Sequence, residues 1–352
     1  MRMIKARLRA AYGLWRGRPR WRRVGTAALA GLAVVLVPVG AAAVALRVQY
    51  AGDPPPEART RGRDAVWLGH AWVDGHKGEA DLTTLTRQLA GTGVRDLYVH
   101  TGPLEHDGSL SPASYAQAAR FVADVHRALP GLRVQAWLGD VVAPEEDGLH
   151  LDQPAVRDRI TASAGQVLAL GFDGVHFDLE PVRSGSAGFL ALLDQVHRLT
   201  AGRGVPLSVA TPQIDPLPGL HTVSTALADH GKWWPQAYFG EVARRVEQVA
   251  VMAYDTGMPL ESLYGGYVAQ QTTLALEATP RGTDLLIGLP AYWDDSFGHH
   301  GSAETVAAAV RGARLSLGRH APARQTFGLA LYADFSATAA DWAAFHSAWS
   351  DR

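Results

Sequence analysis

Residues 171–181 read GFDGVHFDLEP and place His176, Asp178 and Glu180 at every second position. On a β-strand such residues share one face, while Phe177 and Leu179 point to the other. Two carboxylates this close in a water-poor site cannot easily both ionise, so one keeps its proton near neutral pH and can act as an acid. Glu180, the outermost, is placed to donate a proton to a substrate lying over the strand end. Asp178, one step deeper, is placed to share a proton and to orient the attacking group. The competing use of such residues is a buried polar network whose members satisfy one another. Two acids at the C-terminal end of the strand, with Pro181 stopping it beyond them, favour catalysis or ligand binding.

A strand needs neighbours to hold these side chains in place, and the sequence supplies them. After residue 64, short β-rich runs alternate with helical runs to the end of the chain. The expected strands are 65–70, 94–100, 132–139, 172–180, 206–212, 246–255, 285–293 and 327–335. Between them, stretches such as 81–90, 114–129, 155–170 and 186–200 repeat apolar residues at the three-to-four spacing of helices. Eight strand–helix units over 65–352 predict an α/β fold, a closed (β/α)8 TIM barrel, whose site is built at the C-terminal ends of the strands. Polar and aromatic residues collect at those ends: His70, Trp72, His100, Trp137, Asp140, Gln213, Tyr254, Asp255, Tyr292, Trp293, Tyr332 and Asp334. Trp72, Trp137 and Trp293 are the expected aromatic faces of a cleft, whereas Trp67 suits packing between barrel and helices.

At these residues the chain resembles a known family. DGVHFDLE (173–180) is similar to the DGxDxDxE strand-4 signature of glycoside hydrolase family 18, the chitinase-like family. Asp173, Gly174, Asp178 and Glu180 match, and His176 stands where the family carries its innermost Asp. VMAYD (251–255), on the expected sixth strand, resembles the family's M-x-Y-D motif. The resemblance implies a retaining hydrolase of β-linked N-acetylglucosamine glycans, in which the substrate's 2-acetamido oxygen is the nucleophile. By it, Glu180 protonates the glycosidic oxygen and later activates water, and Asp178 holds the acetamido N–H. Tyr254 donates to the acetamido carbonyl, and Asp255 binds the same sugar. His176, Trp72, Trp137, Tyr292, Trp293 and Tyr332 complete the expected substrate-binding set. Two departures stand out. A neutral His176 would still hydrogen-bond Asp178, with an altered pH dependence. Tyr332 is the nearest aromatic to the place where the family floors its catalytic subsite with tryptophan. A sugar-binding barrel without turnover is the alternative.

No cofactor is expected. A metal site built from His70, His100, His176 and Asp255 lacks the paired-histidine pattern of barrel metallohydrolases. The doublet His299-His300 follows a glycine in a loop and is expected to be solvated. The chain contains no cysteine, which removes disulfides and thiolate ligands.

Charge divides the chain unevenly. Residues 1–23 hold nine basic and no acidic residues, leaving 24 basic against 34 acidic in the remainder. The uncharged run 24–46 that follows is long enough to cross a bilayer, with the basic side cytoplasmic and the barrel outside. A cleaved signal peptide is the alternative, with small residues at Ala41–Ala43. Residues 47–64, rich in proline and charge, are expected to form a linker. An acidic main domain argues against nucleic acid as a partner; an oligo- or polysaccharide substrate and a membrane are the expected ones.

Overall fold

The structure is a computed structural model that describes residues 36–144, 146–222, 231–296 and 298–350. Eight parallel strands close into a barrel: β1 Asp64–Leu68, β2 Val94–His100, β3 Arg133–Val141, β4 Gly174–Glu180, β5 Leu207–Thr211, β6 Gln248–Val251, β7 Asp284–Pro290 and β8 Phe327–Tyr332. Each strand pairs with its sequence neighbours, and β1 pairs with β8 to complete the circle. Helices follow the strands in turn: α1 Glu79–Leu89, α2 Ala118–Ala128, α3 Pro154–Leu168, α4 Ala187–Ala201, α5 Gln236–Ala243, α6 Glu261–Ala278, α7 Val306–His320 and α8 Ala339–Phe345. The expected (β/α)8 barrel is therefore observed. A two-residue parallel ladder, Gln213–Ile214 against Trp233–Trp234, sits between β5 and α5.

Two layers of apolar contact hold this architecture. Outward-facing strand residues such as Leu97, Phe177, Val209, Ile287 and Leu329 pack against the buried faces of the helices. Inside the barrel, a smaller cluster joins Ala65, Trp67, Tyr98, Trp137, Leu286 and Ala330. Below it the interior is polar. Asp96 accepts from Arg133, Gln135 and Gln248, and Tyr98 donates to Gln248 Oε1 at 2.7 Å. A closed barrel satisfies its strand backbones completely, and this network satisfies the side chains beneath them.

The N-terminal expectations meet the structure only in part. Residues 24–35 of the expected span lie outside the described residues, as does the basic segment 1–23. Residues 36–50 are helical, and Leu36, Val37 and Val39 are exposed. Among the described residues no helix is long and apolar enough to cross a membrane.

The end of this helix is docked on the barrel. Leu46 is buried, and the Tyr50 hydroxyl reaches Glu261 at 3.2 Å. A Cβ on Gly265 or Gly266 of α6 would strike Tyr50 or the Leu46 carbonyl. The expected linker, residues 47–64, runs in contact with the barrel. Arg319 donates to the carbonyls of Gln49 and Ala51, Arg314 Nε donates to the Ala58 carbonyl at 2.7 Å, and Ala58 is buried. The segment is a strap tied along α7 by arginines, which proline content alone does not reveal.

Candidate active site

The two faces of β4 are those its period-2 pattern predicts. Phe177 and Leu179 are buried against helices, and His176 lies wholly inside the barrel. Parallel register sets Trp137 beside His176, Gly139 beside Asp178 and Val141 beside Glu180. Glycine is required at 139, because a Cβ there would lie 2.9 Å from the Asp178 carbonyl oxygen and 3.5 Å from Trp137 Nε1.

His176 does not reach Asp178. The Trp67 indole, which can only donate, bonds His176 Nε2 at 3.0 Å, so that nitrogen is the acceptor. Nδ1 then carries the proton and donates to Ser208 Oγ at 2.7 Å, leaving the Ser208 hydroxyl to donate to Gln135 Oε1 at 2.9 Å. The imidazole also stacks on Tyr98, 3.8 Å between ring centres. Burial pushes its pKa down to about 3, with the Asp96 charge opposing weakly. The histidine is thus a neutral plug within a closed donor chain. It has no free nitrogen for a sugar, which corrects its placement among the substrate-binding residues. For the same reason it cannot join His70, His100 and Asp255 around a metal.

Above this plug lies the acid pair. Burial raises the pKa of Asp178, and the Trp137 indole N–H opposes the shift. Neither that N–H nor Asp178 Oδ1 completes a hydrogen bond of good geometry. Glu180 keeps contact with solvent at the open mouth. Its pKa is nevertheless raised, first by desolvation from the surrounding walls and then by the charges of Asp178 and Asp255. A carboxyl that holds its proton near neutrality, next to a second acid, is the electrostatic arrangement a general acid needs.

Aromatic side chains surround the pair. Tyr254 stacks on Tyr332 at 5.4 Å, and Tyr292 stands perpendicular to both at 6.1 and 6.0 Å. Trp137 meets Tyr332 edge-on at 6.2 Å. Burial raises the Tyr254 pKa, and the charges of Asp178 and Glu180 add to it, so its hydroxyl stays a proton donor. Tyr254 is itself pinned. Gln213 Nε2 donates to its carbonyl at 2.5 Å, and a Cβ on Gly288 would sit 2.9 Å from its ring.

The structure therefore gathers Asp178, Glu180, Tyr254, Asp255, Tyr292, Tyr332 and Trp137 at one end of the barrel. Two expected residues lie elsewhere. Trp72 is buried, packs on Phe121 of α2 and gives its N–H to Asp334 at 2.8 Å. It has no face left for a sugar. Trp293 is half exposed at the outer rim, with its N–H on Asp341 at the start of α8.

Four further residues escaped sequence reasoning. Phe335, 60% exposed, lies 6.3 Å from Tyr332. Lys232 donates to the Asp255 carbonyl at 2.7 Å. Glu304 is buried beneath the loop after β6. His299, expected in solvent, is buried and stacks on Tyr292 at 4.3 Å. The available signal was adjacency: loops that follow the paired strands β6 and β7 must meet at the barrel mouth. A groove of about 980 Å³ between α1 and α2 lies on the outer wall, away from this cluster.

With this geometry in hand, comparison with solved structures is informative. The spore cortex-lytic enzyme SleL of Bacillus megaterium QM B1551 superposes with a TM-score of 0.58 at 14% identity, over 83% of this chain and 75% of that one. A chitinase from Chromobacterium violaceum ATCC 12472 gives 0.58 at 14%, over 82% and 99%. A class V chitinase from Pseudomonas fluorescens Pf-5 gives 0.54 at 15%, over 81% and 98%. The barrel has the fold of these enzymes. No family model matches the sequence, and no curated protein matches it. The likeness resides in the backbone path, at identities too low to carry residue roles.

Proposed function

We propose that this protein is a glycoside hydrolase of β-linked, N-acetylhexosamine-containing glycans, working through the substrate's own acetamido group. The observation that carries the reading is the acid pair. Asp178 and Glu180 share one strand end, both with raised pKa, beneath a ring of tyrosines. The resemblance of residues 173–180 and 251–255 to the chitinase-like family points the same way. So does a fold shared with proteins described as chitinases and a cortex-lytic enzyme.

In this reading Glu180 gives its proton to the glycosidic oxygen as the C1–O bond breaks. The acetamido carbonyl oxygen attacks C1 from the opposite face and closes an oxazolinium ring. Asp178 takes the hydrogen bond from the acetamido N–H and stabilises the positive charge. Tyr254 donates to the acetamido oxygen and fixes its line of attack, while Asp255 holds the sugar. Glu180, now a carboxylate, removes a proton from water as it adds to C1, and the anomeric configuration is retained. Preorganised groups around developing charge are what lowers such a barrier.

The sugar-binding barrel without turnover is the second reading. It is favoured by His176, whose nitrogens are both engaged away from Asp178. Incubating the full chain with N-acetylated β-1,4 oligosaccharides and their de-N-acetylated counterparts separates the two. New reducing ends from the acetylated set alone support the hydrolase. Saturable binding of those sugars without product supports the second reading, and cleavage of both sets removes the acetamido mechanism.

We further propose that the barrel lies outside the cytoplasmic membrane, from the basic-then-apolar order of residues 1–46; the exposed Leu36, Val37 and Val39 are consistent with this. Protease accessibility of the barrel on intact cells tests this, and protection from protease would contradict it.

A further inference from the structure

Asp255 is the one non-glycine residue with positive φ among the described residues, at 55°. A side-chain-bearing residue held there is strained and persists only where its surroundings over-determine it. Those surroundings are unusually complete. The Tyr292 hydroxyl donates to Asp255 Oδ1 at 2.6 Å, and Lys232 Nζ donates to the Asp255 carbonyl at 2.7 Å. Immediately after it, the Glu304 carboxylate accepts from Thr256 N at 3.1 Å, Thr256 Oγ1 at 3.1 Å and Gly257 N at 2.9 Å. His299 stands between the two acids, with Nδ1 3.2 Å from Asp255 Oδ1 and 3.5 Å from Glu304 Oε2. Neither His299 nitrogen completes a well-aligned hydrogen bond.

Among the described residues no lysine or arginine lies within ion-pair distance of the buried Glu304, although the charge of Lys232 acts on it from farther off; burying a carboxylate this way is costly, and a loop that needed only a turn would not require one. Among the described residues, every hydrogen-bond donor to Glu304 comes from the two residues that follow Asp255, and the imidazole beside it also touches Asp255. The clamp acts on a single point of the chain. It fixes a backbone conformation that aspartate rarely adopts, while the Asp255 side chain stays exposed to the mouth.

We infer that Glu304 and His299 are positioning residues that hold Asp255 in its left-handed conformation, with its carboxylate presented to the sugar in the cleft. The inference rests on the glycosidase reading for what Asp255 contacts, but not for the clamp itself. Glu304 touches no substrate and acts only through the 255–257 turn. His299 braces Tyr292 from behind and bridges the turn to Glu304. The β7–α7 loop thus sets the geometry of the β6 end.

Two measurements on the full chain test the clamp separately from the activity. The first is amide hydrogen exchange at Thr256 and Gly257 in wild type, Glu304→Ala and the milder Glu304→Gln. The clamp predicts that Glu304→Ala exchanges at least about tenfold faster at these two amides, with protection in β4 and β8 unchanged, and that Glu304→Gln lies between. Unchanged exchange at both amides in Glu304→Ala overturns the inference.

The second is kcat/KM on tetra-N-acetylchitotetraose for Glu304→Gln, Asp255→Asn and the double variant. Action through Asp255 predicts a loss of about tenfold or more for Glu304→Gln that adds little to the loss from Asp255→Asn. Independent, multiplying losses overturn the positioning role. If wild type does not cleave the sugar but the amides respond as predicted, the glycosidase reading fails and the clamp stands.

Discussion

Lowering the pH should erase the stability that the imidazole at residue 176 contributes. The perturbation is His176→Gln, whose carbonyl can still accept from Trp67 and whose amide can still donate to Ser208, while the stack on Tyr98 is lost. At pH 7 that stack is worth about 0.5–1.5 kcal/mol. In the folded protein His176 has its pKa depressed to about 3 from an ordinary 6.5. Between those values the unfolded chain binds a proton that the folded chain refuses. The contribution is therefore complete above about pH 6.5 and lost as pH falls below it. Integrating the linkage from pH 7 to pH 5 gives a loss of about 2 kcal/mol in wild type that the glutamine variant does not share.

Total stability would not reveal this. The raised pKa values of Asp178 and Asp64 stabilise the fold over the same descent. The gap between the two proteins removes those shared contributions. Urea denaturation followed by tryptophan fluorescence at pH 7, 6 and 5 measures it. The variant should be less stable by about 0.5–1.5 kcal/mol at pH 7 and more stable than wild type by about as much at pH 5. A gap that stays constant or widens as pH falls would mean that the folded protein accepts a proton at His176, and the donor chain drawn from Trp67 to Gln135 would be wrong.

Other outcomes follow from the same contacts. Turnover should decline as pH rises through about 8, where Glu180 gives up its proton; a pH–rate profile flat to pH 10 would remove Glu180 as the acid. Gly288→Ala should push the Tyr254 ring, 2.9 Å from the added Cβ, and crowd the Val251 carbonyl at 3.0 Å, so that kcat falls about tenfold or more and the melting temperature drops with it. Gly266→Val should lift the Leu46–Tyr50 end of the N-terminal helix, and limited proteolysis should then cut within residues 46–60, where wild type resists.

The barrel was legible because its signal is local. The apolar and polar alternation of 174–180 and the helical period of 118–128 depend on residues a few positions apart. The face carrying Asp178 and Glu180 was legible for the same reason. What sequence missed is non-local or conformational. The partners of His176 are Trp67 and Ser208, 109 and 32 residues away, and nothing local distinguishes a histidine bonded to them from one bonded to Asp178.

The sixth strand was drawn to residue 255 but ends at Val251, since the backbone turns out of the ladder towards a positive φ that aspartate does not advertise. His299 was assigned to solvent because its neighbours are glycine and polar residues. Its burial comes from Tyr292 and Glu304 of its own loop and from Asp255, which the β6–β7 pairing brings against that loop. Trp72 looked like a cleft residue because it follows β1, but the short helical turn 70–72 swings it outwards onto α2.

The central claim is that Glu180 is the acid and base of a retaining, acetamido-assisted hydrolysis. Proton NMR of the first product formed from tetra-N-acetylchitotetraose tests it most directly, with wild type and Glu180→Gln side by side. The account predicts the β-anomer from wild type before mutarotation, and no product from Glu180→Gln although that variant still binds the sugar. An α-anomer from wild type, or comparable turnover by Glu180→Gln, would contradict it.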